Sequence, residues 1–530
     1  MYKRRSRSLG YFGAACALWA LSVAAVVRSA HADGDIFGPA PAATLEGEIA
    51  HAQHMRSLFQ DGHGSSQRTP PVIHRVERDP DSAGIIETFQ PSGPTQTSQS
   101  PFFQNLGTND RTCFTCHQPQ DGWTVSAEHV QQRFDADPND PLFRLVDGAT
   151  CPSDNVSTAG RRKEAFTLLL KKGLFRIGLP MPPDPTLQFR IISVDDPYNC
   201  NTNPTTGLTS ATTGIVSSYR RPLPATNLSF LSAIMWDGRE PSLFSQAVDA
   251  TLGHAQASTA PTDDQVQRIV TFEGCTTADT PGLCAGIPAN AGVYTAQIID
   301  RDAGSLAAAG ASGGPVALAQ QVSGFFMGIN DPLGNNPKNI PFTSVVFNLY
   351  DAWANMSGRH DEADARRAIA RGQQVFNTVP IAITGVAGLN DVLDQPTISG
   401  FCGTCHDTPS AGDHSVKAPL NIGIANAGAN APPALDISGL PVFAIWCTQG
   451  PLAGQIFQVT DLGRATITGQ CADIGKLKGP ILRGLAARAP YFHNGSAATL
   501  GDVVEFYDQR FSIGLTKQQK SDLVAFLKSL

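Results

Sequence analysis

Two stretches of the chain carry the same arrangement of thiols and imidazole: Cys113-Phe-Thr-Cys116-His117 and Cys402-Gly-Thr-Cys405-His406. Cys-x-x-Cys-His is the attachment motif of c-type haem: both thiols add to the vinyl groups and the adjacent His is placed to bind iron. At the Cys and His frequencies of these 530 residues, about 0.005 such motifs are expected by chance, so two copies are a specific signal. A redox dithiol or half of a zinc site are the rival readings, but a structural zinc site wants a second Cys pair close by, and neither motif has one. The pattern predicts two covalently bound haems c, with His117 and His406 as iron ligands. A chain of this length is also too long for one compact core, so two domains or more are expected.

Haem c is attached outside the cytoplasm, and the N-terminus agrees with export. Lys3, Arg4, Arg5 and Arg7 precede the apolar run 11–27, and Ala30-His31-Ala32 reads as a cleavage site. The run is short for a membrane span. Cleavage after residue 32 lowers the net charge from -7 to -12, because it removes five basic residues and no acids. The mature protein is expected to be soluble and periplasmic, with no membrane span. An acidic chain also has no basic footprint for nucleic acid.

Six cysteines remain after the signal and the haem motifs: Cys151, Cys200, Cys275, Cys284, Cys447 and Cys471. An even number in an oxidising compartment favours disulfides. Proximity in sequence pairs Cys151 with Cys200, Cys275 with Cys284, and Cys447 with Cys471, out of fifteen pairings.

Boundaries follow from composition and periodicity. Residues 1–32 are the signal. Residues 33–105, rich in Pro, Ser, Gln and Gly, read as a loosely packed extension in which His51, His54 and His63 fit no closed metal site. Residues 106–350 hold the first haem motif, and 351–530 the second. A helix is expected at 160–175, with Phe166, Leu169, Leu170 and Phe175 on one stripe. Another is expected at 360–378, acidic at its start and basic later, with Ala365, Ile369, Gly372 and Phe376 on one face. The last, 516–530, opens on a Thr516/Gln519 capping box and buries Leu523, Phe526, Leu527 and Leu530. The fold class expected is mainly α: two cytochrome c-like haem domains with long loops and an N-terminal extension.

The second axial ligand separates an electron carrier from an enzyme. A carrier usually places a Met thioether downstream of the attachment motif, which raises the potential. The six Met are residues 1, 55, 181, 235, 327 and 356, so none follows Cys402. Nearby downstream donors are His414, His493, Tyr491 and Tyr507.

Beyond the haem motifs, Ala489-Pro-Tyr-Phe-His-Asn-Gly-Ser-Ala-Ala-Thr-Leu500 and Met235-Trp-Asp-Gly-Arg-Glu-Pro-Ser-Leu-Phe-Ser-Gln246 resemble segments of the bacterial dihaem cytochrome c peroxidase / MauG superfamily. With both haem motifs in the family's order, the resemblance covers about residues 105–530. It implies that Trp236 lies between the haems and relays electrons, and that Gln246 lines the pocket of the first. The family's pocket acid falls here on Gln256, which cannot exchange a proton as a carboxylate does. His254, two residues away, could take the acid–base role or bind iron. His493 would orient a haem propionate. Tyr507 stands where peroxidases of the superfamily carry a ligand Met and the MauG branch a Tyr, which makes it a candidate iron ligand. Arg488 stands where the family's calcium site has Thr, and Arg221 where it has Asn, so calcium stays open. The resemblance implies an exported oxidoreductase that reduces hydrogen peroxide with electrons from a small cytochrome or cupredoxin. A MauG-like oxidase or oxygenase acting on a protein or organic substrate, a rubber-oxygenase type of dioxygenase included, and a non-enzymatic dihaem carrier are the alternatives.

Overall fold

The computed structural model describes residues 69–182, 186–201, 215–275, 287–288, 291–300, 304–305, 311–358 and 360–530. The expected signal sequence, residues 33–68 with their three histidines, and Cys284 lie outside the described residues. Every described residue lies within one unit, Thr44–Leu530.

The start of the described chain differs from the loose lead-in expected. Val76–Pro80 and Gly84–Phe89 pair antiparallel, and the second strand then pairs with Tyr294–Asp300. Ile85, Ile86 and Phe89 are buried, as are Phe102 and Phe103, which pack against the first haem motif's Phe114 and against Trp123 and Phe272. These aromatic residues account for the difference: the segment has enough apolar area to be drawn into the core despite its polar average.

Short strands recur through the chain. Phe175–Pro180 pairs with Ile215–Arg220. Phe189–Asp195 pairs with Val442–Cys447, which also pairs with Ile456–Val459. Ile381–Thr384 and Thr397–Gly400 form a hairpin that delivers Cys402. The expectation of a mainly α chain therefore meets five small antiparallel sheets among the described residues. Runs such as Val442-Phe-Ala-Ile-Trp-Cys447 are β-branched and aromatic, and too short to bury a helical stripe.

The helices are α1 (Ala127–Ala136), α2 (Ala159–Ala165), α3 (Thr167–Lys172), α4 (Leu243–Gly253), α5 (Asp263–Glu273), α6 (Pro315–Gln321), α7 (Asp361–Thr378), α8 (Ala465–Thr468), α9 (Leu500–Phe511) and α10 (Lys517–Lys528). The helix expected at 160–175 is two, broken at Phe166. The second is stopped by Gly173 at φ +62°, so Phe175 passes into a strand. The capping box of α10 forms between Thr516 and Gln519, and Leu523, Phe526, Leu527 and Leu530 are buried. Helices α7 and α10 cross at Gly372, where a Cβ would lie 2.0 Å from the Asp522 carbonyl oxygen. No helix among the described residues is long and apolar enough to cross a membrane.

Disulfides join Cys151 to Cys200 and Cys447 to Cys471, as expected from proximity. Cys275 is also disulfide-bonded.

Candidate active site

Each haem motif opens as a single tight turn, Cys113–Thr115 and Cys402–Thr404, closed by the hydroxyl of its third residue. Thr115 Oγ1 accepts from the Thr112 N–H (2.9 Å) and Thr404 Oγ1 from the Phe401 N–H (2.9 Å). The turn carries both thiols and the following His to one cavity. His117 Nδ1 lies 2.9 Å from the Trp123 carbonyl oxygen and His406 Nδ1 lies 2.7 Å from that of Gly412. A carbonyl only accepts, so each Nδ1 carries the proton and each Nε2 keeps its lone pair. Burial pushes both imidazoles down to about 4, so they are neutral at pH 7. Burial also pushes the thiols up: Cys113 well above its usual range, Cys116 to about 11, and Cys402 and Cys405 to about 12. None of the four is in a disulfide.

The first cavity, about 1330 Å³ with its open mouth, is lined by Cys113, Cys116, His117, Gln246, His254 and Glu273. The second, about 1760 Å³ on the same measure, is lined by Cys402, Cys405, His406, Tyr491 and Tyr507 within a largely apolar wall. Two thiols and an imidazole with a free Nε2, set in an apolar cavity, fit a haem c in each. Arg221, Pro222, Leu223, Pro224 and Trp236 line both cavities and form their common wall. The Trp236 indole donates from Nε1 to the Arg221 carbonyl oxygen (2.8 Å), and its ring meets that of His493 edge-on, 6.1 Å between centres. His493 is wholly buried, lines neither cavity, and is pushed down to about 4 by burial.

Helix α4 presents Gln246 and, at its C-terminal cap, His254 to the first cavity. Eight residues are a little over two turns, so both share a face with Ala247, Ala250 and Thr251. His254 Nδ1 lies 2.5 Å from Asp147 Oδ2, and Arg111 Nη1 lies 2.5 Å from Asp147 Oδ1. Burial pushes the Asp147 carboxyl up, but the Arg111 charge and the His254 hydrogen bond outweigh it and hold it below its ordinary value. Gln256 is not brought to the cavity: it is exposed, and its amide oxygen accepts from Asn109 Nδ2 (3.3 Å). Sequence reasoning missed Asp147, Arg111 and Glu273. Asp147 is 107 residues from His254 and sits in no motif.

Of the four downstream donors, His414 is buried with Nδ1 3.2 Å from Asp407 Oδ2 and, like His493, lines neither cavity. Tyr491 lines the second cavity, but its hydroxyl donates to the Leu485 carbonyl oxygen (3.0 Å). Tyr507 lines the same cavity, and burial pushes its phenol far up. No hydrogen bond holds the Tyr507 hydroxyl among the described residues. No Met lines this cavity.

No protein-family model matches the chain. It is 35% identical over 146 residues to cytochrome-c peroxidase IdrP2 of Denitromonas iodatirespirans, a match covering 25% of this chain and 37% of the relative. It is 29% identical over 151 residues to the cytochrome c551 peroxidase of Nitrosomonas europaea, covering 27% and 36%. The chain is thus similar to bacterial cytochrome c peroxidases, in keeping with its resemblance to the cytochrome c peroxidase / MauG superfamily. It spans little more than a third of the length of these two relatives. A solved MauG-like protein associated with microbial copper homeostasis superposes with a TM-score of 0.27 at 19% identity, over 59% of this chain and 76% of its own.

The calcium that this superfamily implies does not fit the residues present. Calcium takes six to eight oxygen ligands, usually with carboxylates among them. Here two arginine side chains occupy the positions concerned, and no group of three or more His, Cys, Asp or Glu among the described residues could hold a metal.

Proposed function

We propose that the protein is an exported dihaem peroxidase that reduces hydrogen peroxide to water with electrons from a small cytochrome or cupredoxin. The observation that carries this reading is the pair of cavities: one with acid–base side chains, one apolar, sharing Trp236 in their wall. Haems held at Cys113, Cys116 and His117 and at Cys402, Cys405 and His406 would supply the iron that exchanges electrons with donor and peroxide. The reaction needs two electrons and two protons for each peroxide and releases two waters.

The chain's own residues handle the protons. His254 lines the cavity with its Nδ1 fixed by Asp147, which leaves Nε2 as the atom to take a proton from the near oxygen of peroxide and return it to the departing one. Asp147 and Arg111 hold the ring and its tautomer. The Gln246 amide orients peroxide by hydrogen bonding. Glu273 is buried, pushed up to about 8 by burial, and keeps a proton in the same cavity at neutral pH. Trp236, fixed by its hydrogen bond to Arg221, relays electrons across the wall.

Tyr507 supports a second reading. A phenolate is a hard anionic donor that favours oxidised iron over ferrous, so a Tyr507-ligated haem at low potential suits MauG-like oxidation of a protein or organic substrate. Rapid mixing with peroxide tests both. The peroxidase reading expects steady oxidation of reduced cytochrome c, largely lost in Trp236→Phe. The MauG-like reading expects a haem spectral change with peroxide but poor cytochrome turnover. No reaction with peroxide contradicts both.

A further inference from the structure

Arg221 and Arg488 sit together where the two cavities meet. Both are buried, and neither has a carboxylate partner among the described residues. The hydrogen bonds they make among the described residues go to backbone carbonyls. Arg221 Nη1 donates to Lys172 O (2.9 Å), and Nη2 donates to Val125 O (2.6 Å) and to Arg488 O (3.0 Å). Arg488 Nε donates to Gly484 O (3.1 Å) and Nη2 to Ile481 O (2.9 Å). The nearby carboxylate of Asp121 is engaged by His129 Nδ1 at 2.6 Å. Room for the first guanidinium depends on Gly173, where a Cβ would lie 2.5 Å from Arg221 Nη1.

Converging carbonyl oxygens are what a hard cation needs, and here a guanidinium fork already holds them. A divalent ion at the same place would meet two like charges and no carboxylate, in a medium that screens little. A buried cation without an anion is costly. Arg221 lines both cavities and Arg488 the second, so each faces the cofactor space.

We infer that the wall between the cavities is held by cations built into the chain: Arg221 and Arg488 take the place of a bound calcium ion, and the propionates of the haems supply the missing negative charge. This rests on the reading of the cavities as haem sites. The protein then takes no calcium at this wall and is indifferent to its removal. Charge near iron also sets the sign of a substitution: a positive group favours the reduced form, so its loss lowers a midpoint potential.

The experiment uses the full haem-loaded protein, with haem first counted by pyridine haemochrome, so that a failure of the haem reading is seen separately. Samples treated with EGTA or supplied with calcium chloride are compared by metal analysis, melting temperature and spectroelectrochemistry. Expected are no retained calcium and unchanged melting temperature and potentials. A stoichiometric retained calcium, or a potential that moves on chelation, overturns the inference. Arg221→Gln should lower the potential of at least one haem and Arg221→Lys should keep most of it. If Arg221→Gln folds and both potentials stay where they were, the guanidinium is not the charge that the wall uses. If it fails to fold, the calcium comparison on the unaltered protein still decides.

Discussion

Tyr507 and Tyr491 both line the second cavity, and what distinguishes them is one hydrogen bond. The hydroxyl of Tyr491 is committed to Leu485, whereas that of Tyr507 has no partner among the described residues. Tyr507→Phe should therefore remove a six-coordinate ferric component from the paramagnetic resonance spectrum and shift the potential of one haem. Two unchanged spectra would withdraw the ligand assignment. Under the proposed reading His254 carries the proton chemistry of the first cavity, and His254→Ala should slow the reaction with peroxide by about 100-fold or more, the usual scale for loss of a general acid–base group. Asp147→Asn should do the same more mildly while leaving the second haem untouched, and an unaltered rate in both variants would return His254 to a structural role. Cysteine and histidine in a fixed spacing were legible from sequence because the chemistry is local. Asp147 and Glu273 were not, because they reach the cavity through tertiary packing from distant segments, and Arg111, two residues before Cys113, belongs to no motif.

Helix ends were readable where capping chemistry is local: Thr516 with Gln519 forms the box its spacing implies, and α7 starts at Asp361, just after its cap His360. The run 160–175 failed as one helix because its apolar spacing does not reveal the break at Phe166 or the left-handed stop at Gly173. Gly372 was placed on the apolar face of its helix, but its need to be glycine appears only in the crossing with α10. Gly372→Ala should destabilise the protein by about 1–3 kcal/mol, the ordinary cost of overpacking. Gly160→Ala, in α2 with nothing within 4 Å of the added Cβ, should instead be neutral or stabilise by up to about 1 kcal/mol. Urea denaturation measures both; equal effects would mean that the crossing tolerates a methyl group.

For the whole molecule, burial leaves charges whose titration is felt as stability. Asp79, with Glu77, Asp81, Asp121 and His129 around it, is pushed up to about 7, chiefly by burial. A carboxyl raised in the folded state contributes stability below its unfolded value near 3.8, and that contribution is lost as pH rises through 7. Asp79→Asn should accordingly flatten the fall in melting temperature between about pH 4 and 7; an identical slope would place the loss elsewhere. The order of the haem motifs and the two proximity disulfides were legible at this scale. The sheets that tie residues 76–89 to 294–300 and 189–195 to 442–447 were not, since strand pairing across such separations leaves no sequence period. The central claim is that both cavities hold covalent haem, and haem-stained denaturing gels with a pyridine haemochrome count test it most directly. The account predicts two haems per chain that survive denaturation, and one in each of the paired variants Cys113→Ser/Cys116→Ser and Cys402→Ser/Cys405→Ser. A single haem in the unaltered chain, or haem released on unfolding, would contradict it.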